Sequence, residues 1–192
     1  MNRMVLLLGA VFLIFIGAMS SIFVVDEREK VLVLQFGRVV STKEDPGLSF
    51  KIPIIQNVVR YDDRILSRDI DPLEVTPLDD RRLVVDAFAR YRITDVNKFR
   101  EVTGASGDTA ISIAGTRLDR ILSSQTREVL GSVSSNNILS QDRFALMLRI
   151  RNGAILEAEK MGIEVVDVRL KRTGLPRQNL EATFARMRAE RD

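Results

Sequence analysis

The sequence predicts an α+β protein carried on a single N-terminal transmembrane helix, and three observations predict it. Residues Met4 to Val25 form an uncharged, mostly apolar run of 22 residues. The stretch Arg82 to Ile93 alternates apolar and polar side chains with period two. Two later stretches repeat their apolar residues at three- and four-residue steps, and a further alternating stretch, Glu164 to Lys171, follows them.

At ~1.5 Å rise per residue, the apolar run makes a helix of roughly 33 Å, enough to cross a hydrocarbon core of about 30 Å. Met4, Leu8, Phe12, Phe15, Ile22 and Val25 are the residues assigned to this anchor. Arg3 precedes it, and the cluster Asp26-Glu27-Arg28-Glu29-Lys30 follows. The positive-inside rule then keeps the short N-terminus in the cytoplasm and exports the body. A cleaved secretory signal is the rival reading, because Ala18 and Ser20 have the spacing a signal peptidase accepts. Ile22-Phe23-Val24-Val25 stay apolar beyond that site, which speaks against it.

Composition removes several function classes. The 29 Lys and Arg nearly balance 26 Asp and Glu. No basic block is interleaved with aromatics, so nucleic acid is not an expected partner. The chain has no His and no Cys. It therefore lacks the usual transition-metal ligands, a disulfide framework, and Ser-His or Cys-His nucleophilic pairs. No phosphate-binding glycine loop occurs either, so neither a cofactor nor a metal is expected. The adjacent acids Asp62-Asp63 and Asp79-Asp80 read as turn residues, since sequence neighbours point apart on a strand. Ser132, Ser134 and Ser135 lie in a polar stretch that reads as a loop. A Ser-Lys peptidase is compatible with this composition, but nothing singles out one serine.

The elements follow in order. Val31 to Phe36 reads as a buried strand closed by Gly37, and Ser41 to Asp45 as a polar connection leading to the turn Pro46-Gly47. Leu48, Phe50, Ile52 and Ile54 alternate with Ser49, Lys51 and Pro53, and Pro53 demotes this strand to an edge. Val58 to Ile70 alternates less cleanly. Arg82 to Ile93 places Leu83, Val85, Ala87, Ala89, Tyr91 and Ile93 on one face. Asp95 caps a short helix through Phe99 and Val102, and Gly104 to Gly107 reads as a loop.

Ile111 to Leu130 reads as a helix whose stripe is Ala114, Leu118, Ile121, Leu122, Gln125 and Val129, ended by Gly131. A second helix starts at a Ser140 cap, carries Phe144, Met147, Leu148, Ile155, Ala158 and Met161, and ends at Gly162. Glu164 to Lys171 follows as a strand with Val166, Val168 and Leu170 inward, free to pair with Arg82 to Ile93. Arg177 to Asp192 reads as the start of a charged helix.

Several of these segments together resemble the SPFH (band 7) family, which includes stomatin, prohibitin, flotillin and the HflK/C proteins. They are Val31-Leu-Val-Leu-Gln-Phe36-Gly37-Arg38, Pro46-Gly47-Leu48-Ser49-Phe50-Lys51-Ile52-Pro53, Tyr61-Asp62-Asp63-Arg64, Tyr91-Arg92-Ile93-Thr94-Asp95, Met161 to Lys171, and Leu175-Pro176…Phe184…Met187-Arg188-Ala189-Glu190-Arg191. Their order and spacing carry the likeness, which spans nearly the whole chain and is greatest to the HflK/C branch.

The resemblance implies a β-rich membrane-proximal subdomain, SPFH1, over residues 26–95, and an α+β subdomain, SPFH2, over 96–176. It implies that 177–192 begins a longer oligomerisation helix. It further implies a non-enzymatic scaffold of the bacterial inner membrane, its body periplasmic, that joins an HflK-type homologous subunit in a high-order ring or cage on the lipid bilayer and restrains the AAA protease FtsH. A stomatin-like organiser of membrane microdomains, a membrane peptidase and a secreted binding module are the alternative functions.

Two surfaces stand out. Pro46, Gly47, Leu48 and Phe50 form a candidate membrane-proximal loop, set against the favoured reading of Leu48, Phe50, Ile52 and Ile54 as the inward face of a core strand. Leu180, Phe184 and Met187 lie at i, i+4 and i+7. Such a stripe suits a contact between subunits, or docking of the segment on its own domain.

Overall fold

The computed structural model describes residues 12, 15–17, 19–139 and 143–174. Met4, Leu8, Ser140 and the segment with Leu180, Phe184 and Met187 lie outside the described residues. The chain divides into two compact units, residues 1–64 with 93–111, and residues 65–92 with 112–192. This differs from the single cut expected at residue 95. Pairing of the strand Leu83–Ile93 with Leu66–Val75 and Ile163–Gly174 holds most of it in the second unit, while the helix after it packs in the first.

In the first unit, the described residues from Phe12 to Ser20 are helical. Ile22–Val25 (β1) then forms an antiparallel ribbon with Gly47–Phe50 (β4). The helix expected to run to Val25 therefore stops before Ser21, and Ile22 and Val25 are strand residues. Packing decides this: Phe23 and Val25 turn inward onto Val31 and Val33, with Val58 against them. Among the described residues, no helix is long and apolar enough to cross a membrane.

A three-stranded sheet stands beside the ribbon in the order β3-β2-β5, with Glu29–Gln35 as β2, Arg38–Lys43 as β3 and Gln56–Asp62 as β5. Four consecutive residues of β2, Val31 to Leu34, are buried, so both faces of the strand are covered. Phe36 and Gly37 join β2 to β3 with φ of 49° and 82°. Both central residues are left-handed, as a type I′ hairpin turn requires. The connection expected from Ser41 is thus still strand, because Thr42 and Lys43 pair with Leu32 and Val31. Pairing outweighed their polar character.

Val96–Thr103 (α1) closes this unit. Asp95 caps it as expected, accepting from the Asn97 and Lys98 N–H groups at 3.0 Å each. Such a cap stabilises a helix by about 1 kcal/mol. Several links tie the helix region to the sheet. The Tyr61 ring meets Phe99 edge-on at 5.5 Å, the Tyr61 hydroxyl donates to the Ala105 carbonyl at 3.3 Å, and Lys30 Nζ donates to the Thr94 carbonyl at 2.9 Å.

The second unit is built on the sheet β6-β7-β8, with Leu66–Val75 as β6, Leu83–Ile93 as β7 and Ile163–Gly174 as β8. Every residue expected inward on β7 is buried. On β8 the buried residues are Ile163, Val165, Val168 and Leu170; Val166 is only half-buried, because the alternation changes phase before Val168. Helix α2, Gly107–Gly131, starts four residues earlier than expected, and residues within the expected loop at 132–137 begin a short helix α3, Ser135–Leu139. Asp79, from the β6–β7 loop, accepts from the Ser135 N–H at 3.0 Å and from its hydroxyl, so a distant carboxylate caps α3. No local pattern in the sequence announces such a cap.

Arg143–Glu159 (α4) buries Leu146, Ile150, Ala154 and Ala158. Phe144 and Leu148, expected on its inner stripe, face outward. The helix is apolar on two sides, and packing buries the side that carries Ala154 and Ala158. Between β6 and α2, Arg68 grips Asp119 through Nε at 3.0 Å and Nη2 at 2.7 Å. The guanidinium crosses α2 at Gly115, where an added Cβ would lie 3.2 Å from Arg68 Cζ.

Candidate membrane-facing surface

The β1–β4 ribbon separates its side chains strictly. Register pairs Ile22 with Phe50 and Val24 with Leu48, and all four point away from the core. Leu48 and Phe50 are each 71% exposed. The core reading of these residues is overturned, because the inward face of the ribbon is already filled by Phe23 and Val25.

The chain leaves β4 through a turn that continues the apolar surface. The Lys51 N–H donates to the Ser21 carbonyl at 2.8 Å, which extends the ribbon by one bond. The Ile52 N–H then donates to Gln56 Oε1 at 2.8 Å, and the Gln56 N–H returns to the Ile52 carbonyl at 3.0 Å. Between them Ile54 holds φ of 73° and is 102% exposed. A β-branched residue in the left-handed region costs roughly 1–2 kcal/mol. Glycine or asparagine at this position would avoid that cost.

Ile22, Val24, Leu48, Phe50, Ile52, Ile54 and Ile55 are thus seven exposed apolar side chains on one ribbon and its turn. Each contributes about 1.5–3 kcal/mol when fully buried. Such a grouping marks a contact surface rather than ordinary scatter. The exposed helical residues Phe12, Phe15, Ile16 and Met19 immediately precede β1. Pro46 and Gly47 stand at the other end of the ribbon, where Gly47 adopts φ of 143°. They lie in a recess lined by Thr42, Lys43, Glu44, Asp45 and Ser49. The sequence singled out Leu48 and Phe50 and placed Ile22 in the anchor helix, but nothing in it separated Ile22 and Val24 from Phe23 and Val25, because alternation leaves no mark within an all-apolar run.

The polar candidates are engaged elsewhere. A crevice of about 400 Å³ is lined by Asp26, Arg28, Glu29, Arg60, Asp62 and Arg64, among others. Its charges pair, Arg64 with Asp62 at 2.6 Å and Arg60 with Glu29 at 3.1 Å. The Arg64 hydrogen bond holds the Asp62 carboxyl below its ordinary value against the opposing effect of burial. Asp63 pairs with Lys30 at 3.3 Å. Hydrogen bonding from Ser135 lowers Asp79 in the same way. Among the described residues, no cluster of three or more His, Cys, Asp or Glu could hold a metal.

Comparison with known proteins gives one consistent likeness. The profile of the SPFH domain / Band 7 family matches residues 23–192. The chain is 32% identical over 212 residues to Protein HflC of Buchnera aphidicola (subsp. Schizaphis graminum), covering 100% of this chain and 67% of that one. It is 30% identical over 230 residues to the Escherichia coli K12 protein named Modulator of FtsH protease HflC, covering 96% and 68%. It is 34% identical over 196 residues to Protein HflC of Haemophilus influenzae, covering 97% and 65%. The chain spans about two thirds of the length of these relatives.

Proposed function

We propose, from the premise that this chain belongs to the SPFH domain / Band 7 family, that it is a membrane-anchored scaffold subunit modulating an FtsH-type AAA protease. The observation that carries this reading is the likeness across nearly the whole chain to proteins named HflC, one of them named a modulator of FtsH protease. In this reading the role is regulatory, the N-terminal apolar run is the anchor with a cytoplasmic tip, and the body stands on the periplasmic side. The subunit assembles with an HflK-type homologous partner into a ring or cage. The exposed ribbon of Ile22, Val24, Leu48 and Phe50 supports seating on a bilayer, because it follows the apolar run directly and presents apolar side chains to solvent.

The test is purification of the full-length protein from native membranes and identification of what accompanies it. An FtsH-type protease together with an HflK-type subunit is the expected result. Recovery of a self-assembled membrane oligomer free of protease would replace this reading with that of a stomatin-like microdomain organiser.

A further inference from the structure

We propose that the membrane-facing surface extends to the β2–β3 hairpin, whose Phe36 enters the bilayer beside the Ile54 turn, and that Arg38 and Lys51 fit this end of the first unit to acidic phospholipid headgroups. The proposal rests on reading the ribbon as a bilayer seat, and adds to that reading a second insertion point and a lipid class.

Register sets the hairpin tip beside the turn. Gln35, the last residue of β2, pairs with Gln56, the first of β5, and Gln56 Nε2 donates to Gln35 Oε1 at 3.5 Å. Gln56 also closes the turn after β4 through its two bonds to Ile52. Phe36 follows one member of this pair and Ile55 precedes the other, so both turns end at the same edge of the sheet. Each turn puts a bulky apolar residue in left-handed backbone, Phe36 at φ of 49° and Ile54 at 73°. Glycine and asparagine are the usual occupants of such positions. Phe36 is nevertheless 85% exposed, and it shares a recess of about 430 Å³ with Gln35, Arg38 and Val40.

Charge is sorted along the same axis. Residues 31–43 and 46–60 contain no acid. Arg38 lies opposite Gln35 at the hairpin tip, and Lys51 stands between Phe50 and Ile52. The acids of residues 21–64 gather at the opposite end. There Glu29 pairs with Asp62, the Asp63 N–H donates to the Arg28 carbonyl at 2.8 Å, and Glu44 lies 4.0 Å from Lys30. The length of β2, roughly 20 Å, separates the two ends. That is more than twice the screening length of about 8 Å at physiological salt, so the local charge at the apolar end is that of Arg38 and Lys51. Apolar side chains bordered by cations and cleared of anions match a leaflet with hydrocarbon beneath and phosphate charge above.

The chain has no tryptophan, so a single introduced one reports its own surroundings. In the full chain reconstituted into phosphatidylcholine vesicles containing phosphatidylglycerol, Phe36→Trp and Ile54→Trp should both be quenched by brominated acyl chains. Lys43→Trp, at the far end of β3, should be quenched by acrylamide alone. Omitting phosphatidylglycerol should weaken the lipid quenching of F36W several-fold. Adding Arg38→Gln and Lys51→Gln should remove that lipid dependence, each cation being worth about fivefold in the docking equilibrium. Equal quenching of F36W in both lipid mixtures would overturn the headgroup assignment. Lipid quenching of I54W with F36W open to acrylamide would strike the hairpin and leave the ribbon reading standing. Protection of F36W from acrylamide without lipid quenching would put another protein surface over the hairpin and overturn the proposal. Absence of lipid quenching at both positions would remove the bilayer seat itself.

Discussion

Gln125 of α2 and Gly153 of α4 meet so closely that a Cβ at position 153 would fall 1.9 Å from Gln125 Oε1. The glycine is therefore a packing residue, although glycine costs about 1 kcal/mol against alanine in a helix interior. The carboxamide that occupies the gap also donates to Glu128 Oε2 at 3.3 Å.

Gly153→Ala should thus give opposite results in two backgrounds. Alone, it must displace the Gln125 side chain, and the overpacking offsets the helical gain, leaving the variant unchanged or less stable by up to about 2 kcal/mol. With Gln125→Ala also present, the same change should stabilise by about 1 kcal/mol. A urea-denaturation cycle over the four variants reads the coupling, and additive effects would refute the contact.

Neighbouring valines in β1 should behave as opposites. Val25 is buried and Val24 points outward with Leu48. Val25→Ser should cost about 2 kcal/mol of stability. Val24→Ser should leave stability within about 0.5 kcal/mol but weaken binding of a chain of residues 21–192 to phospholipid vesicles. Removal through Val25 would confuse this measurement, because it deletes β1 and leaves β4 unpaired. Equal vesicle binding by wild type and V24S would argue against lipid seating of the ribbon.

Ile54→Asn relieves a left-handed β-branched residue while removing an apolar tip. Its expected signature is a gain of about 1 kcal/mol in unfolding free energy together with weaker vesicle sedimentation. A loss of stability would mean that the Ile54 side chain is held by packing. Unchanged sedimentation would detach the turn from the membrane surface.

The cap on α3 should make part of the stability pH-dependent. Hydrogen bonding from Ser135 holds Asp79 below its ordinary value of 3.8. A carboxyl depressed on folding contributes stability that is fully present above its unfolded pKa and is lost as pH falls through the folded one. Wild type should therefore lose stability on acidification below about pH 4. Asp79→Asn should flatten that slope and lower the melting temperature at neutral pH. An unchanged profile in D79N would show that the cap is not energetically coupled to folding.

Parts of both units were legible from residue patterns. The buried face of β7 follows from alternation, and Asp95 and Gly104 bracket α1 as a cap and a left-handed stop. The candidate surface was legible only in part. Leu48 and Phe50 stood out, but their direction depended on which side of the ribbon Phe23 and Val25 had filled. Asp79 as a cap was not readable, since it lies 56 positions from Ser135.

By itself, the sequence determined where apolar and polar residues contrast. In β7 the contrast has period two, which one-sided burial imposes on a strand, and no other element accommodates it. Tertiary structure decided the places without contrast. Ile22 to Val25 are all apolar, so helix and strand were equally compatible until pairing with β4 divided them into a core side and an exposed side. In α4 both faces are apolar, and close packing chose Leu146, Ile150, Ala154 and Ala158, leaving Phe144 and Leu148 outside. Hydrophobicity says that a side chain gains by burial. Which of several equally apolar faces obtains it depends on the shape of the neighbour.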